Sequence, residues 1–171
     1  NNLSTWELKK KDHTKLNIIV IKMEKTNDVM GLGSALMDFL IEIDEDKLIE
    51  FNLNKGEMHL VDEEQAKNVL SKINEHQLTI EKVPGGSSAN TLKGIALLGG
   101  NAILCGKVGD DPHGEIYVQE IEKLGLISRI NKHTKQTGQA VSFITPDSER
   151  TFSTHLGAAI ELYKEDVLEE D

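Results

Sequence analysis

The chain has 171 residues, of which 28% are charged and 38% hydrophobic, a composition typical of one globular domain. Its formal net charge of −10 argues against a nucleic-acid partner, because phosphate backbones are held by clustered lysine and arginine side chains. No apolar run approaches the roughly 20 residues that a membrane span requires, so we expect no membrane partner.

Two features bear on the compartment and on the limits of the domain. The single cysteine, Cys105, lies in an apolar run, which favours a buried thiol in a reducing compartment such as the cytoplasm. The histidines are scattered without a spacing that fits zinc, so no metal site is predicted.

Residues 1–22 are basic and polar, and we interpret them as a leader or non-core segment before a domain over 23–171. The alternative is an additional strand over 16–22.

The first half of the domain predicts strands and helices in alternation. Residues 29–43 are mostly apolar and predict a strand, or a strand with a bend, in a covered sheet. Asp62 is placed as the N-cap of a helix whose apolar residues recur at helical spacing. Weak alternation predicts a strand over 79–83, which runs into Gly85 and Gly86 before a helix that ends near Leu98.

The second half continues this order and then changes. Residues 101–108 predict a strand, and residues 113–124 predict an amphipathic helix with Ile116, Ile121 and Leu124 facing inward. Residues 139–145 and 150–155 predict a hairpin, and an acidic helix start follows at 163–171. The alternation predicts an α/β fold with parallel strands, and the hairpin together with the 79–83 strand predicts a small β-sheet lid beside the main sheet.

Three segments could carry chemistry. Gly85 and Gly86 before a helix allow a ligand hydroxyl or anion to approach the backbone, although an ordinary turn is the simpler interpretation. Asp110 and Asp111 could bind a metal, but a cap on the following helix explains them better. Asp38 lies in an apolar run, where a carboxylate needs hydrogen-bond partners. It could accept hydrogen bonds from ligand hydroxyls or face solvent.

The order and spacing of three glycine-rich segments resemble the N-terminal signature of the PfkB carbohydrate kinases, a ribokinase-like family. The segments are residues 85–90 (GGSSAN), 97–100 (LLGG) and 106–114 (GKVGDDPHG). The resemblance extends over roughly residues 28–165. It implies a central sheet flanked by helices with a small β-sheet lid, incomplete at the C-terminus.

Within the family, the chain resembles adenosine kinase-like members. The residues that carry this likeness are 33–38 (GSALMD), 54–62 (NKGEMHLVD), 149–151 (ERT) and 155–159 (HLGAA). The resemblance implies ATP-dependent phosphorylation of a hydroxyl group on an adenosine-like nucleoside or a sugar. The alternative is a non-catalytic ligand-binding protein or a truncated remnant of a carbohydrate kinase.

The same resemblance implies roles for individual residues. Asp38 would hold ribose hydroxyls, since a carboxylate can accept two hydroxyl protons, and Asn90 would bind another hydroxyl. Ser34 stands where adenosine kinases usually carry asparagine. The implied substrate-binding residues are Ser34, Asp38, Gly85, Gly86, Ser87 and Asn90, and the implied lid residues are Thr137 and Arg150.

The family's catalytic aspartate lies in a later Gly-Ala-Gly-Asp type motif, and its magnesium-linked Asn-x-x-Glu motif also lies later. We therefore expect no catalytic residue in this chain and no kinase activity from the chain alone. ATP and Mg²⁺ are expected in the complete enzyme, together with a C-terminal half that carries most of their sites. A homodimer through the lid is a further expectation.

Overall fold

The computed structural model describes residues 27–167, so the predicted leader over 1–22 lies outside the described residues. The strands are β1 Val29–Leu32, β2 Leu36–Glu42, β3 Met58–Leu60, β4 Glu81–Pro84, β5 Ala102–Gly109, β6 Ile127–His133, β7 Gly138–Ile144 and β8 Arg150–His155. The helices are α1 Glu45–Ile49, α2 Glu63–Glu75, α3 Ser87–Leu97 and α4 Pro112–Lys123, and the short 3₁₀ helices are Gly157–Glu161 and Lys164–Asp166.

The strands form two separate sheets. A three-stranded sheet has the order β1-β5-β6 and is parallel throughout. A five-stranded sheet, here named the lid sheet, has the order β3-β8-β7-β2-β4 and contains both parallel and antiparallel pairs. This arrangement confirms the predicted α/β architecture with a second β-sheet, and it confirms the β7–β8 hairpin.

The single bent strand predicted over 29–43 is wrong. Residues 29–32 join the three-stranded sheet as β1, whereas residues 36–42 join the lid sheet as β2. The chain changes sheets where Gly33 passes over α3, so closely that a Cβ on Gly33 would lie 2.7 Å from Ser88 Cβ. The apolar pattern continues across this crossing, which is why periodicity alone joined the two strands.

The helix starts follow the predicted caps. Asp62 accepts a hydrogen bond from Gln65 N and completes a capping box at α2. Asp111 caps α4, with Pro112 at the first helical position. The predicted inward face of α4 is right for Ile121, which is fully buried, and wrong for Ile116 and Leu124, which are exposed; Tyr117, which was not predicted, is buried in their place. The acidic helix predicted from residue 163 is, as far as it is described, one short 3₁₀ turn.

Residues of and next to α1 and α2 pack on one face of the lid sheet. Met37, Phe39 and Ile41 of β2 are buried in the core. Phe51, after α1, lies with its ring 4.5 Å from that of Phe143 of β7, and Ile73 of α2 is fully buried in the same cluster. Alternation along β2 places Leu36, Asp38 and Leu40 on the opposite face, here named the open face.

None of the helices in the described part of the chain combines the length and apolar character that crossing a bilayer requires.

Candidate functional site at the Gly85–Gly86 turn

Asp38 lies on the open face of the lid sheet and packs directly against the turn that follows β4. A Cβ atom added to Gly85 would lie 2.1 Å from Asp38 Cγ, so only glycine leaves room for this carboxyl group. The Gly85 amide donates to Leu36 O at 2.7 Å, which fixes the turn beside β2. The structure thus brings the predicted residues Asp38 and Gly85 together.

Gly86 packs against the segment that connects β1 to β2. Its φ of 94° is one that residues with side chains rarely adopt, and an added Cβ would lie 2.3 Å from Ser34 O. Ser34 is exposed at this point. The predicted pair Ser34 and Gly86 is therefore adjacent, with the serine backbone against the glycine.

Asn90 and Ser87 lie in the first turn of α3, and both are exposed. The Asn90 amide N–H donates to Gly86 O at 2.9 Å. The Asn90 side-chain oxygen accepts a hydrogen bond from Lys93 Nζ at 3.2 Å. Ser87 O accepts from the Thr91 hydroxyl, and no described contact joins Ser87 to Asp38.

Two residues that the sequence analysis did not single out, Lys93 and Tyr117, donate hydrogen bonds to the backbone at the Gly85–Gly86 turn. Lys93 Nζ donates to Pro84 O, and Tyr117 Oη donates to Gly85 O at 2.9 Å. Tyr117 is fully buried, and burial together with the nearby Asp38 charge raises the pKa of its hydroxyl. A buried tyrosine hydroxyl needs a hydrogen-bond partner, which Gly85 O supplies here. The sequence signal for its burial was its position four residues, or about one helical turn, before the apolar Ile121.

Opposing effects act on the Asp38 carboxyl group. Burial raises its pKa, whereas the positive charges of Lys93 and then of Arg150 lower it, and the net shift is upward. Arg150 is exposed at the first position of β8. Arg150, a predicted lid residue, therefore acts on Asp38 electrostatically.

Thr137, the other predicted lid residue, anchors the base of β7. Its hydroxyl donates to Asp111 Oδ1 at 2.8 Å, and its backbone N–H donates to Asp111 Oδ2 at 2.7 Å. The same hydroxyl accepts from Gly109 N at 3.0 Å. Burial pushes the Asp111 pKa upward, but the bonds from Thr137 and Gly114 outweigh it, so the pKa lies below its ordinary value.

Metal ligation finds no support in residues 27–167, which hold no group of three His, Cys, Asp or Glu side chains suited to it. Asp110 forms an ion pair with Lys132 at 2.9 Å. Asn54 and Glu57 have the Asn-x-x-Glu spacing, which the sequence interpretation overlooked. Asn54 Nδ2 donates to Glu57 Oε2 at 2.9 Å in the turn before β3.

A cavity of about 350 Å³ opens beside the far end of the lid sheet. Its lining includes Leu60, Thr154, Leu156, Ile160 and Lys135. Asp38 pairs with Ala140 of β7, and Ala140 pairs with Thr154 of β8, so Asp38 and Thr154 point to the same face. The cavity therefore continues the open face away from Asp38.

The chain is similar to known proteins in sequence and in structure. Residues 53–171 match the model of the pfkB family carbohydrate kinases. The adenosine kinase of Saccharomyces cerevisiae is 30% identical over 139 residues, which is 78% of this chain and 41% of that protein. A fructokinase of Vibrio alginolyticus is 31% identical over 87 residues, which is 50% of this chain and 28% of that protein.

Solved structures of similar fold include an adenosine kinase as well. The adenosine kinase from Sinorhizobium meliloti superposes with a TM-score of 0.75 at 34% identity, over 84% of this chain and 43% of that one. The chain thus spans about two fifths of the length of these adenosine kinases. Its fold is ribokinase-like, as the sequence resemblance implied, and the chain belongs to the pfkB family of carbohydrate kinases.

Proposed function

We propose that this chain supplies the substrate-binding part of an ATP-dependent kinase whose acceptor is a hydroxyl group of an adenosine-like nucleoside. The observation that carries the proposal is the position of Asp38, a half-buried carboxyl group packed on Gly85 at the start of the open face. An ionised carboxylate accepts hydrogen bonds from two hydroxyl groups, which suits the vicinal diol of a ribose.

The rest of the open face favours a nucleoside over a free sugar. Neighbouring strands lie about 4.8 Å apart, so Thr154 lies about 10 Å from Asp38 across β7. Leu60 pairs with Thr154 one strand further and is 62% exposed. A ligand with its sugar at Asp38 would extend an apolar, planar base toward these residues.

A sugar acceptor is the second candidate, because the fructokinases among the relatives align with the same chain. A hexose would occupy the Asp38 end of the face without reaching Leu60. The two candidates therefore differ in whether the Leu60 end contributes to binding.

The chemistry of phosphoryl transfer is assigned to the complete enzyme. ATP and Mg²⁺ would supply the phosphoryl group and neutralise its charge there. No step of the transfer is assigned to the described residues, among which no three His, Cys, Asp or Glu side chains form a group suited to a metal ion. On this proposal, a C-terminal half would carry those sites.

A homodimer through the lid stays a prediction. The face of the lid sheet next to α2 is already covered, so such a dimer would use the edge strands β3 and β4 or the open face. Use of the open face would compete with substrate.

Calorimetric titration of the 171-residue chain with adenosine, ribose and fructose tests the proposal. Adenosine binding that is lost in Asp38→Ala supports it, and binding of fructose alone moves the acceptor to a sugar. The absence of binding to a demonstrably folded chain would favour a non-catalytic remnant.

A pair of surface variants separates the two acceptors further. Leu60→Ser is expected to weaken adenosine binding and to leave ribose binding unchanged. Leu98→Ser, at a position that is 90% exposed outside the cavity lining, is the matched control and should change neither affinity.

A further inference from the structure

Lys93 occupies an unusual place for a lysine. Its side chain rises from α3 beneath the Gly85–Gly86 turn, and Nζ donates both to Pro84 O and to Asn90 Oδ1. Burial lowers the pKa of this ammonium group, and only the Asp38 charge opposes that shift. The hydrogen bonds of this partly desolvated lysine thus join α3 to the end of β4, and its charge acts on Asp38 of β2.

The contact with Asn90 determines which way its amide points. An asparagine side chain has a donor nitrogen and an acceptor oxygen, whereas a lysine ammonium has donors only. Because Lys93 must donate, the Asn90 oxygen has to face Lys93, and the Nδ2 amino group is turned away from it. Asn90 is thereby fixed as a hydrogen-bond donor toward whatever lies beside the turn.

The site then offers two complementary groups. The Asp38 carboxylate accepts hydrogen bonds, and the Asn90 amino group donates them. Each hydroxyl of a diol has one proton to give and lone pairs to receive. A carboxylate acceptor and an oriented amide donor that both adjoin the Gly85–Gly86 turn therefore match two neighbouring hydroxyl groups better than either group does alone.

We propose that Lys93 is a positioning residue for hydroxyl recognition: it holds Asn90 as a donor, ties it to the end of β4 and supplies positive charge beside Asp38. This inference rests on the proposed function, because it assigns the recognised group as the hydroxyl pair of the acceptor. Lys93 itself does not have to touch the substrate.

The charged and titratable groups that act on Asp38 come from three elements. Lys93 of α3 and Arg150 of β8 favour the ionised carboxylate, and Tyr117 of α4 lies close enough to sense the Asp38 charge. Arg150 is exposed, whereas Lys93 is half-buried. Since exposed charges are screened by water and salt, Lys93 is the main cation that keeps Asp38 an acceptor.

The test compares Lys93→Met, which removes the charge and the donor, with Lys93→Arg, which keeps both. Carbon-13 NMR of the Asp38 carboxyl carbon reports its titration midpoint without any ligand, and calorimetry reports the adenosine Kd. Lys93→Met is expected to raise the midpoint and to weaken adenosine binding at pH 7 about tenfold, as for loss of a charge-assisted hydrogen bond. Lys93→Arg should keep the affinity within about threefold of the wild type.

Lys123→Met is the matched control, because Lys123 pairs with no residue other than Glu120 within residues 27–167 and should change neither readout. An unchanged Asp38 midpoint in a folded Lys93→Met chain overturns the inference. Equal losses in Lys93→Arg and Lys93→Met would also overturn it, since they would show a steric role.

Two further results keep this inference separate from the proposed function. If the wild-type chain binds no adenosine, the proposed function fails for this chain, while the carboxyl titration still decides whether Lys93 acts on Asp38. If Lys93→Met does not fold, nitrogen-15 NMR of Lys93 in Asp38→Asn replaces it. The lysine midpoint should fall when the neighbouring negative charge is removed, and an unchanged midpoint would contradict the proposal.

Discussion

The Asp38 carboxyl group lies so close to Gly85 that a methyl group on that glycine would fall 2.1 Å from Asp38 Cγ. The Asp38 carboxyl group therefore fills the space that a side chain at position 85 would need, so each residue limits which substitutions the other position tolerates. The glycine does not serve only to bend the chain. It allows a carboxyl group to lie against bare backbone, where the proposed function places a ligand hydroxyl.

Replacing Asp38 with asparagine should separate binding from stability. The folded-state pKa of Asp38 is raised above its unfolded value, so ionisation at pH 7 destabilises the fold, and this penalty is relieved as pH falls through the folded pKa. We expect Asp38→Asn to raise the free energy of unfolding by about 1 kcal/mol at pH 7 while abolishing adenosine binding. Urea unfolding and calorimetry measure the two effects. A destabilised variant would contradict the argument.

Two glycines of the same region provide a matched pair. Gly85→Ala should destabilise the fold by about 2 kcal/mol, because the added carbon overlaps the Asp38 carboxyl group. Gly94→Ala in α3 should stabilise it by about 0.8 kcal/mol, because the new methyl meets no atom within 4 Å and alanine favours helix. Urea denaturation of both chains checks the sign, and the same sign for both would show that crowding at Gly85 is relieved elsewhere.

The Asp111–Thr137 contact should make stability fall in acid. The folded-state pKa of Asp111 is depressed, so its contribution is fully present above the unfolded pKa and is lost as pH falls through the folded value. Asp111→Ala is expected to cost about 2 kcal/mol at pH 7, through a lost helix cap and a lost anchor for β7. The neighbouring Asp110→Ala should cost under about 0.5 kcal/mol, because the side-chain contact described for Asp110 is an exposed ion pair with Lys132. Urea unfolding at pH 7 and near pH 3 should show the Asp111→Ala deficit shrinking in acid, and a constant deficit would refute the linkage.

The ion pair between Lys107 and Asp166 should behave as a buried one. Its atoms lie 2.7 Å apart, and the two side chains are 10% and 16% exposed. Asp166→Ala leaves the lysine unpaired and should cost about 2–3 kcal/mol, whereas adding Lys107→Met to the same chain should recover part of that loss. A double-mutant cycle measured by chemical denaturation gives the coupling. Strictly additive effects would mean that the two groups do not interact, as we expect for the exposed pair of Lys123 and Glu120.

Several elements of the fold and the Gly85–Gly86 turn could be predicted from sequence because their signals are local. Glycine pairs, helix caps and the apolar run of β5 each depend on a few neighbouring residues. β6 was missed because Arg129, Asn131 and Lys132 break its apolar pattern at a sheet edge. β3 was missed because three residues are too few to show alternation.

Lys93 could not be predicted for a different reason. A lysine on a helix is ordinarily a solvated surface residue, and no pattern marks one that turns back toward a carbonyl group. Its significance depends on Asp38 and Pro84, which come from strands of the lid sheet. Only the folded chain brings these three residues together.

The chain crosses between the two sheets after β1, after β4 and after β6, so the lid sheet is assembled from separate stretches of sequence. Swapping one continuous segment between relatives would therefore not transfer the whole lid sheet, on which the proposed choice of acceptor depends. A chimaera would have to replace residues 36–84 and 138–155 together. Its junctions would fall beside Gly33, Gly85 and Gly138, where neighbouring atoms leave no space for a side chain. Recombination that splits these two blocks would mix one protein's Asp38 strand with the other protein's β7 and β8, which pair beside it.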